Sequence, residues 1–171
     1  MTDAETKKAM RMIVLTASLG GLSYLSFNNG LLLAYISYLN VPSATILLLL
    51  ALMPMAQFVF VIPFSFLADI FGKKIIGNIG LISSLFAYVL LIVASFLPEN
   101  SYIWIIVTGI VLFGIGSAMT LGNWFALLHP IIPEKIRGRF FGRLRLTWQS
   151  IGIVVTLLFI YTLEQFPSLG I

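Results

Sequence analysis

Five long apolar runs, each closed by polar or turn-forming residues, divide this chain at roughly 13–39, 44–69, 75–97, 102–129 and 146–166. A helix crossing ~30 Å of hydrocarbon needs ~20 apolar residues, and in lipid only helices and closed barrels satisfy the backbone. The pattern predicts an all-α fold, a polytopic bundle of five membrane-spanning helices. The first run is too long for the apolar core of a signal peptide and has no small-residue cleavage pattern at its end, so it reads as a retained span. Pro54 and Pro63 each remove a backbone donor and predict a bend in the second span. In the fourth span Gly114, Ala118 and Gly122 recur every four residues and predict a close approach by another helix. The tail from Glu164 to Ile171 reads as a loop followed by the first residues of a further apolar segment.

Composition agrees with a lipid solvent, with 60% hydrophobic residues and 9% charged ones. The ten Lys and Arg residues fall in three clusters, Lys7/Lys8/Arg11, Lys73/Lys74 and Lys135/Arg137/Arg139/Arg143/Arg145. Two apolar runs separate each cluster from the next, and the connections Asn40-Val41-Pro42-Ser43 and Pro98-Glu99-Asn100-Ser101 carry no cation. Because Lys/Arg-rich loops stay on the cytoplasmic side, the clusters and the N-terminus are expected there, and the two neutral or acidic connections outside. This is the topology of an integral protein of the plasma (inner) membrane. Every cation lies beside an apolar span, so the expected polyanion is the headgroup layer of the bilayer and not a nucleic acid. The chain has no Cys, which excludes disulfides, thiolate metal sites and thiol nucleophiles.

The connection between the second and third spans reads Ser65-Phe66-Leu67-Ala68-Asp69-Ile70-Phe71-Gly72-Lys73-Lys74. Asp69 ends a helix at the membrane surface, Gly72 permits a tight turn, and Lys73 and Lys74 neutralise the carboxylate while pinning the loop inside. This segment resembles the signature of the major facilitator superfamily, Gly-x-Leu-Ala-Asp-Arg-x-Gly-Arg-Lys, with Ser65 in place of the first Gly and Ile70 in place of the first Arg. A second segment, Pro133-Glu134-Lys135-Ile136-Arg137-Gly138-Arg139, is similar to the Pro-x-x-x-Arg-Gly-Arg that joins the family's fourth and fifth helices. Both occur after the expected span and on the expected side. The resemblance implies five of the six helices in the N-terminal half of a carrier. It also implies that Asp69, Gly72, Lys73, Lys74, Glu134, Arg137, Gly138 and Arg139 form a gating motif that holds one face of the carrier shut. Ile110 stands where many proton-coupled exporters carry an Arg, and the fifth span has only Gly152 and no Pro before Pro167, so a typical multidrug antiporter is disfavoured. Pro130 stands where sugar porters carry a Glu.

No Asp, Glu, Lys or Arg lies near the middle of a span, so no proton-carrying carboxylate is expected in these five helices. The polar candidates for a substrate path are the amides Asn28 and Asn29 in the first span, Gln57 in the second, Asn123 in the fourth and Gln149 in the fifth. Amides both donate and accept, which suits a hydroxylated or zwitterionic solute, and they serve equally as glue between helices. His129, the only histidine, reads as a boundary residue at the end of the fourth span. No catalytic constellation, metal cluster or cofactor motif is present in the sequence, so no enzyme is expected. The expected function is secondary active transport of a small polar solute by alternating access. The missing C-terminal half or a second copy would supply the opposing bundle. A non-transporting membrane scaffold or accessory subunit with the same fold is the alternative.

Overall fold

The computed structural model describes residues 3–28 and 30–165. Among these it contains helices and turns and no strand: α1 (Asp3–Asn28), α2 (Gly30–Tyr38), α3 (Ser43–Phe71), α4 (Lys73–Ala94), α5 (Glu99–Leu128) and α6 (Arg137–Gln165), with a 3-10 turn at Glu134–Ile136. Five stretches are long and apolar enough to cross a membrane: Glu5–Asn28, Ser43–Phe71, Lys73–Ala94, Ser101–Leu128 and Glu134–Thr162. At 1.5 Å per residue α4, the shortest of the long helices, extends ~33 Å. The chain forms two compact units, one of residues 39–128 and one of residues 1–38 with 129–171.

In the first of these units α5 is the central helix, and glycines decide where its neighbours lie. A Cβ built on Gly114 would stand 2.7 Å from the Met53 carbonyl oxygen and 2.8 Å from the Ala56 Cβ, and one on Gly122 would stand 2.5 Å from Ser65 Oγ. The partners rise in number together, so α3 and α5 run parallel. A Cβ on Gly116 would fall 2.6 Å from the Gly80 carbonyl oxygen, and one on Gly109 3.3 Å from that of Ala87. Here the numbers run in opposite directions, and α4 is antiparallel to α5. The small-residue stripe of α5 is thus the seat of α3, while a second set of glycines, which the four-residue spacing does not mark, seats α4. Ser83 Oγ donates to the Leu112 carbonyl at 3.2 Å, and the Tyr88 and Phe113 rings meet edge to face at 5.8 Å. Tyr102 donates to the Leu39 carbonyl at 2.9 Å and anchors the turn at Asn40, whose φ of 55° is one that Asn tolerates. Helix α3 continues unbroken through Pro54 and Pro63.

The outer faces of this unit are apolar, with Phe58 82%, Ile62 77% and Phe96 83% exposed. A soluble protein does not leave such a surface to water, and a bilayer covers it at no cost. In the other unit, a Cβ on Gly21 would lie 3.1 Å from the Trp148 ring, and Gly152 lies against Leu25. Again the numbers rise together, so α1 and α6 are parallel. Lys7, Lys8 and Arg11 therefore share one end of this pair with Lys135, Arg137 and Arg139, although more than 120 residues separate the clusters in sequence.

The first run, expected as one span over 13–39, is divided into α1, ending at Asn28, and α2, starting at Gly30, so Asn28 stands at a helix end and not near the middle of a span. Two helices also start before the apolar runs that predict them. The first span was expected from about residue 13 and α1 begins at Asp3; the fifth was expected from about 146 and α6 begins at Arg137. In both cases the extra turns carry the cations, which prefer the headgroup region and have no reason to leave the helix there.

Candidate gate and substrate path

The α3–α4 connection is a single residue. Gly72 ends α3 and starts α4 with φ 100° and ψ 130°, its N–H donating to the Ala68 carbonyl at 3.0 Å. Its own carbonyl accepts from the N–H groups of Ile75 (3.1 Å) and Ile76 (3.2 Å). A side chain at that φ is strained, which explains Gly at this position. Directly beneath, Ala68, Ile76 and Met119 form a buried cluster with Phe64, Leu67 and Ile115 packed on it. The hinge is thus backed by three helices, and Asp69 and Lys74 are exposed beside it.

Across the hinge Lys73 Nζ lies 3.5 Å from Asp69 Oδ1, with the Asp69 side chain 69% exposed and that of Lys73 37%. An exposed pair of this kind contributes only ~0.2–1 kcal/mol. It holds the carboxylate without committing it, so Asp69 can exchange partners at little cost. Lys74 is exposed, and so is Ile70, in the position where the resembling signature carries an Arg. Ser65, the other departure, back-bonds to the Val61 carbonyl at 2.8 Å and occupies the space that a side chain at 122 would need. The Ser is accommodated because Gly122 faces it.

The second loop is organised by Arg137. Its Nη1 donates to His129 Nε2 at 2.8 Å, and its Nη2 donates to the carbonyls of His129 (3.3 Å) and Ile132 (3.4 Å). Guanidinium has only donors, so Nε2 of His129 is the acceptor in this contact. Arg137 therefore caps the chain as it leaves α5 and ties it to the first turn of α6, a role for which a Lys has neither the fork nor the number of donors. Its Nε is buried with no partner. Glu134, Gly138 and Arg139 are exposed around it. The two loops belong to different units.

The amides divide by environment. Asn123 is 2% exposed and donates from Nδ2 to the Met119 carbonyl of its own helix at 2.8 Å, the signature of an interior helix residue. Gln57 is half-buried in α3, next to Ala56, which faces α5. Asn28, the last residue of α1, and Gln149 in α6 are exposed. Asn29 lies outside the described residues. Ile110 is wholly buried, so a charge there would have no room or solvent.

His129 lies where the sequence predicts it, just past the end of the fourth span. What the sequence does not show is its partner, Arg137, eight positions away across the turn that holds Pro130 and Pro133. Among the described residues no group of three or more His, Asp or Glu is placed to hold a metal ion.

Comparison with known proteins places these observations in a family. The model of the Major Facilitator Superfamily matches residues 10–167, a stretch that includes both loops, four of the five spans and most of the first. No curated protein and no solved structure matches the chain.

Proposed function

We propose a transport function by alternating access for this chain, which belongs to the Major Facilitator Superfamily, a family of membrane transporters. The five spans correspond to the first five helices of the family's N-terminal bundle. They lie in the plasma (inner) membrane with the N-terminus and all three basic clusters cytoplasmic. A second bundle, from a further half or a second copy, would rock against this one around a central site. The solute is small and polar, and without an ionisable residue at mid-span its recognition falls to neutral amides, Gln57 first among them.

One observation carries the reading: the single-residue hinge at Gly72 flanked by an exposed, weakly held Asp69. Asp69, Gly72, Lys73 and Lys74 act as one half of a cytoplasmic gate. Glu134, Arg137, Gly138 and Arg139 shape the neighbouring loop. A scaffold has no use for a carboxylate that can be released from its partner at so small a cost.

The test needs no knowledge of the solute. Single cysteines replacing Asn28, Gln57 and Gln149 are treated with a membrane-impermeant maleimide in right-side-out and inside-out vesicles. Alternating access predicts that at least the Gln57→Cys side chain reacts from both sides. Reaction of all three from one side only, or from neither, contradicts transport and leaves the scaffold reading.

A further inference from the structure

Helix α6 buries one face against α1, through Trp148 and Gly152, and leaves the opposite face open. Along that open face, at the three- and four-residue steps that keep side chains in one row, stand Arg139, Arg143, Leu146, Ser150, Ile153 and Leu157. All six are exposed, the three apolar ones by 60–67%. Neither arginine pairs with a carboxylate among the described residues. The row is therefore two free guanidinium groups one turn apart, followed by a strip of aliphatic surface that only the small Ser150 interrupts.

We infer that this row is a seat for one anionic glycerophospholipid, its phosphate held by Arg139 and Arg143 and an acyl chain lying along Leu146, Ile153 and Leu157. Three features favour lipid over other occupants. The guanidinium fork matches phosphate oxygens two at a time. The aliphatic strip from Leu146 to Leu157 is ~16 Å long at 1.5 Å per residue, close to the ~15 Å depth of one leaflet's hydrocarbon. A soluble anion would use the arginines and leave the strip bare, whereas a phospholipid covers both. The seat depends only on the chain being embedded in a bilayer. It stands whether or not the chain transports anything.

The full chain is placed in nanodiscs containing phosphatidylcholine and phosphatidylglycerol, each in turn carrying a photoreactive group in one acyl chain, and labelled residues are mapped by mass spectrometry. Phosphatidylglycerol should label the strip about five- to twentyfold more than phosphatidylcholine at equal abundance, taking each Arg near the surface as worth about fivefold. The double variant Arg139→Gln/Arg143→Gln should lose that preference. The double variant Lys7→Gln/Lys8→Gln, which removes the same charge from α1, should keep it, and the thermal transition of each variant confirms that it is folded. If either double variant fails to fold, raised salt applied to the wild type should erase the preference at this strip. Equal labelling by the two lipids overturns the inference. So does a preference lost with the lysines and kept without the arginines, and so does absence of lipid labelling on the strip, which would mean that another protein helix covers it.

Discussion

Replacing Gly80 by Ala tests whether the glycines of α4 and α5 set the packing of their unit. A Cβ at position 80 would lie 2.7 Å from the Gly116 carbonyl oxygen and 2.7 Å from the Met119 Cβ. Unstrained contacts begin near ~3.5 Å, so the two helices must separate by nearly ~1 Å. That shift would carry the Ser83 Oγ to Leu112 carbonyl bond, already 3.2 Å, beyond hydrogen-bond range. Overpacking costs ~1–3 kcal/mol and the lost bond ~1 kcal/mol, against which the better helix propensity of Ala returns up to ~1 kcal/mol. The net expectation is a loss of about 2 kcal/mol. Gly77, nearly one turn earlier on the same helix, is the control, because a Cβ there meets nothing within 4 Å. Gly77→Ala should therefore be neutral or stabilising. Both variants and the wild type, purified in mild detergent, are unfolded under equilibrium conditions and followed by circular dichroism and tryptophan fluorescence. Equal effects at 77 and 80, or a stabilised Gly80→Ala, would refute the close contact.

Gly72→Ala should cost ~1–3 kcal/mol through backbone strain alone, since the nearest atom to its Cβ is 3.9 Å away; an unfolding curve matching the wild type would contradict the positive φ. Arg137→Lys should loosen the α5–α6 turn, raising amide hydrogen exchange at residues 134–137, and His129→Gln, which retains an acceptor, should disturb the turn less than His129→Leu. Asn123→Leu should lower the unfolding temperature through loss of a buried polar contact, while Gln57→Leu should lower it little and weaken solute binding by ~1–3 kcal/mol if Gln57 faces the path. A cysteine at Ser43 should react with an impermeant reagent from outside and one at Ile136 only from the cytoplasmic side; reaction at 136 from outside would overturn the proposed orientation.

Much of the architecture is legible in the sequence because lipid imposes a strong rule: the backbone must be helical wherever the chain is apolar for long enough. The turn at Gly72 was readable from Asp69, Gly72 and the lysines around it, since positive φ and local charge both have residue signatures. What escaped depends on partners distant along the chain. The stripe of Gly114, Ala118 and Gly122 announced a close neighbour without saying that α3 is that neighbour. Gly80 shares its helix with Gly77, and which of the two meets a neighbour is told only by Gly116 opposite. The Arg137–His129 bond spans a turn whose path no periodicity describes. Burial likewise separates Asn123 from Asn28, Gln57 and Gln149, a distinction that polarity alone does not contain.

The account's central claim is that the exposed Asp69 beside the Gly72 hinge biases an equilibrium between two faces of a carrier. The most direct measurement is the ratio of inner to outer labelling at a single cysteine replacing Gln57, compared between chains with Asp69 and with Asp69→Asn. The exposed ion pair with Lys73 is worth too little for its loss to unfold the protein, so both chains should melt alike. The account predicts that labelling from the cytoplasmic side rises relative to the outside when the carboxylate is removed, because the inner gate closes less often. An unchanged ratio in a chain of unchanged stability would contradict it, leaving Asp69 and its lysines as a tight basic turn between two helices and nothing more.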